Sequence, residues 1–318
     1  MTPSLAGRVE SFKLAQVLGV HHDELAFLSG HDPEAIRQVR TALGEALFRR
    51  HESRFRRVGK LATSVPAPLA AKIAQLALGP MLAARVAACM DPKIAVKLAG
   101  SLTSDYLMEV SIALDPVRAE PILDGLPEAL VVDVGRRLLE RGEHLTLGRF
   151  ISVIAPEVAL QVVEAATGPD LLAVALHADD SAALDVLVAR IDEELLVESI
   201  RAAHETGAYA DAITLVSQVS EGSRSRLVPL IVALDEAGRD GFALSLHEHD
   251  AWGTVLPALS TLDDDALAAI ANTPATLTPG VLDRAVTTAH EMGLDELSDR
   301  LPGVLDQAHR TVLSTPGA

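Results

Sequence analysis

The chain has 318 residues, 49% of them hydrophobic and 22% charged, with a formal net charge of −17; this is enough apolar material for a buried core, as one array or two domains, and it excludes general disorder. Aromatic residues make up only 3%, and a hydrophobic share drawn mainly from Ala, Leu and Val suits helix-on-helix packing better than sheets. Cys89 is the single cysteine, which excludes an internal disulfide, and neither a secretory signal nor a run of about 18 apolar residues occurs, so a cytoplasmic chain without a membrane span is expected.

The charge is divided along the chain. Residues 1–100 carry 14 Lys+Arg against 8 Asp+Glu, whereas the remainder carries 13 against 36. An acidic two-thirds repels nucleic acid and anionic lipid, so contacts of that kind are confined to the first hundred residues, and nucleic acid is the least favoured partner.

Residues 1–66 form the first region. Two short helices are expected up to the Gly30–His31 break, then a strong helix start at Asp32, Pro33 and Glu34: an N-cap acceptor, a proline that needs no N–H, and an acid at the positive end of the dipole. That helix extends to about Leu61, with Ile36, Val39, Leu43 and Leu47 as its apolar stripe. Its second half is basic and amphipathic. Arg49, Arg50, Arg54, Arg56, Arg57 and Lys60 fall on one broad arc, with Leu47, Phe48, Phe55 and Val58 opposite. An apolar stretch, 61–84, follows at once. The plainest expectation is that the protein's own acids or an acidic partner neutralise the basic arc and that the apolar stretch is core. The alternative is that segment 47–85 rests on an anionic membrane surface, at the inner face of the membrane.

Residues 67–178 form the second region and carry an internal repeat of 24 residues. Segment 91–114 matches 115–138 at Asp91/Asp115, Pro92/Pro116, Ala95/Ala119, Leu102/Leu126, Val110/Val134 and Leu114/Leu138, and 67–90 keeps Pro68, Ala71, Leu78, Val86 and Met90 in the same frame. After an insertion holding Arg141 and Gly142 the frame resumes at Ala155, with Pro156, Ala159, Val162, Leu171 and Val174. Each unit predicts two helices of roughly ten residues, too short to persist alone in water, so each pair must bury its stripe against the next. Residues 179–318 form a third, acidic region of degenerate helix pairs, with breaks near Gly207, Gly222, Gly238, Gly253, Pro274–Pro279 and Gly293. Acid runs such as Asp179–Asp180 and Asp263–Asp265 are expected to open helices. Disorder is expected only from Ser314. The predicted fold class is all-α, an armadillo-like α-solenoid of short helix pairs.

Short Asp-Pro-initiated helices in tandem, with the phrase Ala119, Glu120, Pro121, Ile122, Leu123, Asp124, Gly125, Leu126, Pro127, resemble the superhelical N-terminal domain of MgtE-type magnesium transporters; the flagellar motor switch family FliG has a related array. The resemblance covers residues 67–178. It implies a stack of short helices with a regulatory or docking role. It does not extend to transport, and no magnesium ligand carries over.

Enzyme signatures are not found: there is no phosphate-binding Gly-Lys-Ser/Thr loop, no Gly-x-Ser-x-Gly elbow and no His-Glu-x-x-His. Cys89 lies in the apolar phrase AARVAACMDP and is expected to be a buried small hydrophobe. His247, Glu248, His249 and Asp250 could serve a transition metal, but alternate residues diverge by about 200° on a helix, so a surface helix end is expected; His21, His22, Asp23 and Glu24 are expected to be a helix start. No cofactor or metal is assigned. The favoured function is a non-enzymatic solenoid scaffold that docks a protein partner, with Arg49, Arg50, Arg54, Arg56, Arg57 and Lys60 as a second contact. The other two candidates are a peripheral membrane protein and an apolar-ligand carrier or enzyme with a pocket between helices.

Overall fold

Aspartate and proline set the helix starts. Asp32 accepts hydrogen bonds from the backbone N–H groups of Glu34 and Ala35 at 3.2 and 3.3 Å, Asp91 from Lys93 at 3.0 Å, and Asp115 from Arg118 at 3.1 Å. Each precedes a proline at the first helical position, so at least one orphan N–H is capped and another is absent. The computed structural model describes residues 5–306 and residue 310, and no strand occurs among them. The tail from Ser314 lies outside the described residues.

Two compact units make up the chain. The N-terminal unit spans residues 1–166 with 176–179, and the C-terminal unit spans 167–175 with 180–318.

In the N-terminal unit, α1 (Leu5–Leu18) is followed by a 3₁₀ stretch (His22–Gly30), the long α2 (Pro33–Ala62), α3 (Ala67–Ile73), a π turn (Ala74–Leu78) and α4 (Pro80–Ala87). Then come α5 (Pro92–Ala99), α6 (Ser104–Ala113), α7 (Pro116–Leu123), α8 (Glu128–Glu140), α9 (His144–Phe150) and α10 (Pro156–Val163). First helices of successive repeats pack in one row, α3 on α5 on α7. Second helices pack in another, α4 on α6 on α8, and α10, a first helix by the repeat frame, joins this row because α9 is inserted before it. The equivalent alanines of the repeat, Ala71, Ala95, Ala119 and Ala159, are exposed by only 1%, 5%, 0% and 4%. A methyl group is what each joint accommodates, because close-packed interiors leave no room for more. Gly135 shows the same constraint, since a Cβ there would lie 2.6 Å from Cγ2 of Val162.

Helix α2 departs from its expected stripe. Ile36 is buried, but Val39 and Leu47 are exposed, and the inward face is Ile36, Arg40, Phe48 and Gly59. The cause is a buried ion network. Arg40 meets Glu10 and Asp179, each at 3.1 Å, and Lys13 lies 2.7 Å from the same Asp179 oxygen and 3.6 Å from Glu10. Burying an arginine is tolerable only with such partners. Satisfying them turns Arg40 inward and Val39 out. Lower down, the Arg118 guanidinium lies 3.7 Å from the Phe48 ring centroid, a cation–π contact that holds this face inward.

The C-terminal unit holds α11 (Gly168–Leu176), α12 (Ser181–Arg190), α13 (Glu193–Glu205), α14 (Tyr209–Gln218) and α15 (Glu221–Val232). It continues with α16 (Glu236–Glu248), α17 (Trp252–Leu259), α18 (Asp264–Ala271), a 3₁₀ turn (Pro274–Leu277), α19 (Val281–Glu291) and α20 (Asp295–Val304). Its core is continuous and larger-grained, centred on Phe242, Trp252, Leu256, Leu267, Val281 and Leu297. Asp180 and Asp263 cap helices as expected. Asp179 does not; it belongs to the ion network. Several arginines here are spent on main-chain carbonyls at helix ends. Arg226 donates to Ile191 at 2.6 Å and to Val188, Arg300 to Ser260 and Leu262 at 3.1 and 2.7 Å, Arg224 to Val219 at 3.1 Å, and Arg239 to Leu234.

Candidate docking surface

At 1.5 Å per residue, the 30 residues of α2 make a helix about 45 Å long. Its basic residues Arg49, Arg50, Arg54, Arg56, Arg57 and Lys60 are all exposed. Two of them are paired within the helix: Arg49 with Glu45 at 2.7 Å and Arg56 with Glu52 at 2.6 Å. Hydrogen bonding to Arg49, against some burial and with help from Arg118, holds the Glu45 carboxyl below its usual range. Arg50, Arg54, Arg57 and Lys60 have no carboxylate within ion-pair distance among the described residues of their own unit. Spacings of four and three place Arg50, Arg54, Arg57 and then Leu61 on one strip of the helix.

The apolar stretch beside this strip is not all core, contrary to the plainest expectation. Leu61 is 70% exposed, Leu76 78% and Met81 70%. Backbone geometry explains two of them. The π turn at Ala74–Leu78 widens the helix, and Gly79, with φ of +67°, takes a conformation that L side chains avoid. The chain therefore reverses sharply into α4, with Leu76 just before the reversal and Met81 just after it. Where α2 meets α4, an open groove of about 450 Å³ runs between Leu47, His51 and Phe55 on one wall and Leu78, Pro80, Leu82 and Arg85 on the other. No acidic residue lines it.

The other candidates are placed as follows. His247 lies in the last turn of α16, His249 is its C-cap and Asp250 pairs with Arg284 at 2.8 Å, so this is a helix end. His21 precedes the 3₁₀ stretch, with its N–H donated to Glu24 at 3.1 Å. His21 Nδ1 and His22 Nε2 approach different oxygens of Asp23, at 3.2 and 3.0 Å; these three exposed groups are the closest ligand-type cluster among the described residues. Cys89 is half-buried rather than buried, and burial, with Glu52 nearby, pushes its thiol up, away from reactivity.

The ion network and the histidine beside it had no local signal in the sequence, since Asp179 is far along the chain from Glu10, Lys13 and Arg40. Burial opposes ionisation of Asp179, but Lys13 and Arg40 outweigh it and hold the carboxyl below its usual range. Burial, reinforced by Lys13 and His144, lowers His177 to about 4. Its ring stacks on Phe12 with centroids 6.0 Å apart, and Nδ1 has no hydrogen-bond partner among the described residues.

No helix among the described residues is long and apolar enough to cross a membrane. Comparison with protein-family models, with curated proteins and with solved structures finds no match for this chain.

Proposed function

We propose that this chain is a non-enzymatic interaction module, an α-solenoid of short helix pairs like the array that its 67–178 repeats resemble in MgtE-type N-terminal domains. It has two contact faces: the acidic surface of the C-terminal unit, for a basic protein partner, and the basic, apolar α2–α4 face of the N-terminal unit.

The observation that carries this reading is the partition of charge. The C-terminal unit holds 24 Asp+Glu against 8 Lys+Arg, whereas the N-terminal unit is near balance, with 20 against 19. Five of those eight bases, Arg224, Arg226, Arg239, Arg300 and Arg310, are turned onto carbonyls. The acids are left to set the potential outside, which steers and selects a basic partner. Helix rows present extended surface rather than a closed pocket, and the groove's polar lining is confined to His51 and Arg85; convergent catalysis needs more.

Affinity capture from native cell extract tests the proposal, using the full chain and the variant Glu194→Lys/Glu198→Lys. Both residues are exposed on α13. A basic protein retained by the native chain at low salt, and lost with the variant while far-UV helicity is unchanged, is the expected result. Identical captures from the two chains would defeat the reading.

A further inference from the structure

We infer that the α2–α4 face docks on an anionic lipid bilayer. The inference rests on the reading of that face as the second contact surface.

Charge comes first. Residues 47–85 carry eight Lys+Arg and one acid, Glu52, which is already tied to Arg56. Arg50, Arg54 and Arg57 follow one another along a single strip, so their guanidinium groups present a row of fork-shaped donors to any surface lying against the helix. Phosphate headgroups supply a matching continuous layer of acceptors, without requiring the fixed acid positions that a folded protein would have to provide.

Apolar shape comes second, and it supplies the insertion that charge alone does not. Anchor residues at protein interfaces sit in well-packed pockets at the centre of the contact. Here Leu61 ends the basic strip in the last turn of α2, while Leu76 and Met81 flank the Gly79 reversal, and all three are at least 70% exposed. Side chains standing out from helix ends beside cations can enter the acyl boundary while the cations remain at headgroup level. The α2–α4 groove, apolar and of about 450 Å³, has room for part of an acyl chain. Acid pairing from within the unit does not compete, because the four free cations of α2 have no carboxylate of their own unit in reach.

The test is flotation of the full chain with vesicles of phosphatidylcholine alone and of phosphatidylcholine with about one third phosphatidylglycerol. The native chain should float at least about tenfold better with the anionic vesicles, and raised salt should weaken it. Arg50→Glu/Arg54→Glu/Arg57→Glu and, separately, Leu61→Ser/Leu76→Ser/Met81→Ser should each remove about nine-tenths or more of that binding with far-UV helicity retained. Should the charge reversal unfold α2, the milder Arg50→Gln/Arg54→Gln/Arg57→Gln set replaces it. Equal flotation on both vesicles, or full binding by the serine variant, overturns the inference. Soluble polyglutamate provides the control. If it binds the native chain and not the arginine variants while lipid does neither, the face docks an acidic protein and only the lipid assignment fails; if neither probe separates native from variant, the contact surface itself fails.

Discussion

The two units solve helix packing in opposite ways. In the N-terminal unit small residues recur in register, and Ala71, Ala95, Ala119 and Ala159 let short helices approach closely with little side-chain volume between them. In the C-terminal unit large side chains such as Phe242, Trp252 and Leu256 interlock in one continuous cluster, and arginines reach across to close helix ends. The difference teaches where each unit is vulnerable. A joint built on methyl groups fails by overfilling, whereas a core built on Phe and Trp fails by emptying.

Trp252 is the chain's only tryptophan and is buried in the C-terminal unit, so its fluorescence reports that unit while far-UV circular dichroism reports both. Phe242→Ala should cost about 3–5 kcal/mol and lower the urea midpoint followed by Trp252. Ala119→Leu should cost about 1–3 kcal/mol, visible by circular dichroism while the Trp252 midpoint stays in place. An equal shift of the tryptophan signal in both variants would mean that the units unfold as one, and the contrast would break.

A finer test compares two kinds of arginine. Arg226→Met removes charged hydrogen bonds to the carbonyls of Val188 and Ile191 and should cost about 2 kcal/mol. Arg56→Met breaks only an exposed pair, one turn apart in α2, and is expected to change the unfolding midpoint little. Comparable losses in the two variants would refute the distinction between inward and outward arginines.

Acid should act on the N-terminal unit through His177. Its folded pKa of about 4 lies below the ordinary 6.5, so between these values the unfolded chain binds a proton that the folded chain does not. Stability is therefore full above the upper value and falls as pH drops towards the lower one, by at most about 1.4 kcal/mol per pH unit. Asp179 acts in the same direction at still lower pH, since its carboxyl is held below 3.8. Circular-dichroism midpoints at about pH 7 and about pH 4.5 should fall less for His177→Gln than for the native chain; an equal fall would clear His177 of the effect.

Much of this fold was legible in the sequence because its signals are local. Proline-marked helix starts and the alanine column lie within one repeat, and from α3 to α8 both appear where the 24-residue frame predicts them; beyond the α9 insertion Ala159 is still buried, but α10 packs on α8, in the row of second helices. Val39 and Leu47 were misplaced because the rotation of α2 is decided by Arg40, whose partners Glu10 and Asp179 are distant in sequence. Helical spacing alone places the six basic residues of α2 on a face that the fold leaves exposed. The groove beside them was not, since it depends on a π turn and on the backbone sign at Gly79, which hydrophobic periodicity does not encode. Exposure of Leu76 and Met81 follows from that same reversal and that of Leu61 from its place in the last turn of α2, so the apolar run is core only in part, at Ala70, Ala71 and Ala84.

A methyl-sized joint is also interchangeable. Helix α9 is already an addition to the repeat frame, yet α8 still packs on α10. Insertion of one helix therefore moves the copy beyond it from one row to the other while its small buried joint, Ala159, is kept.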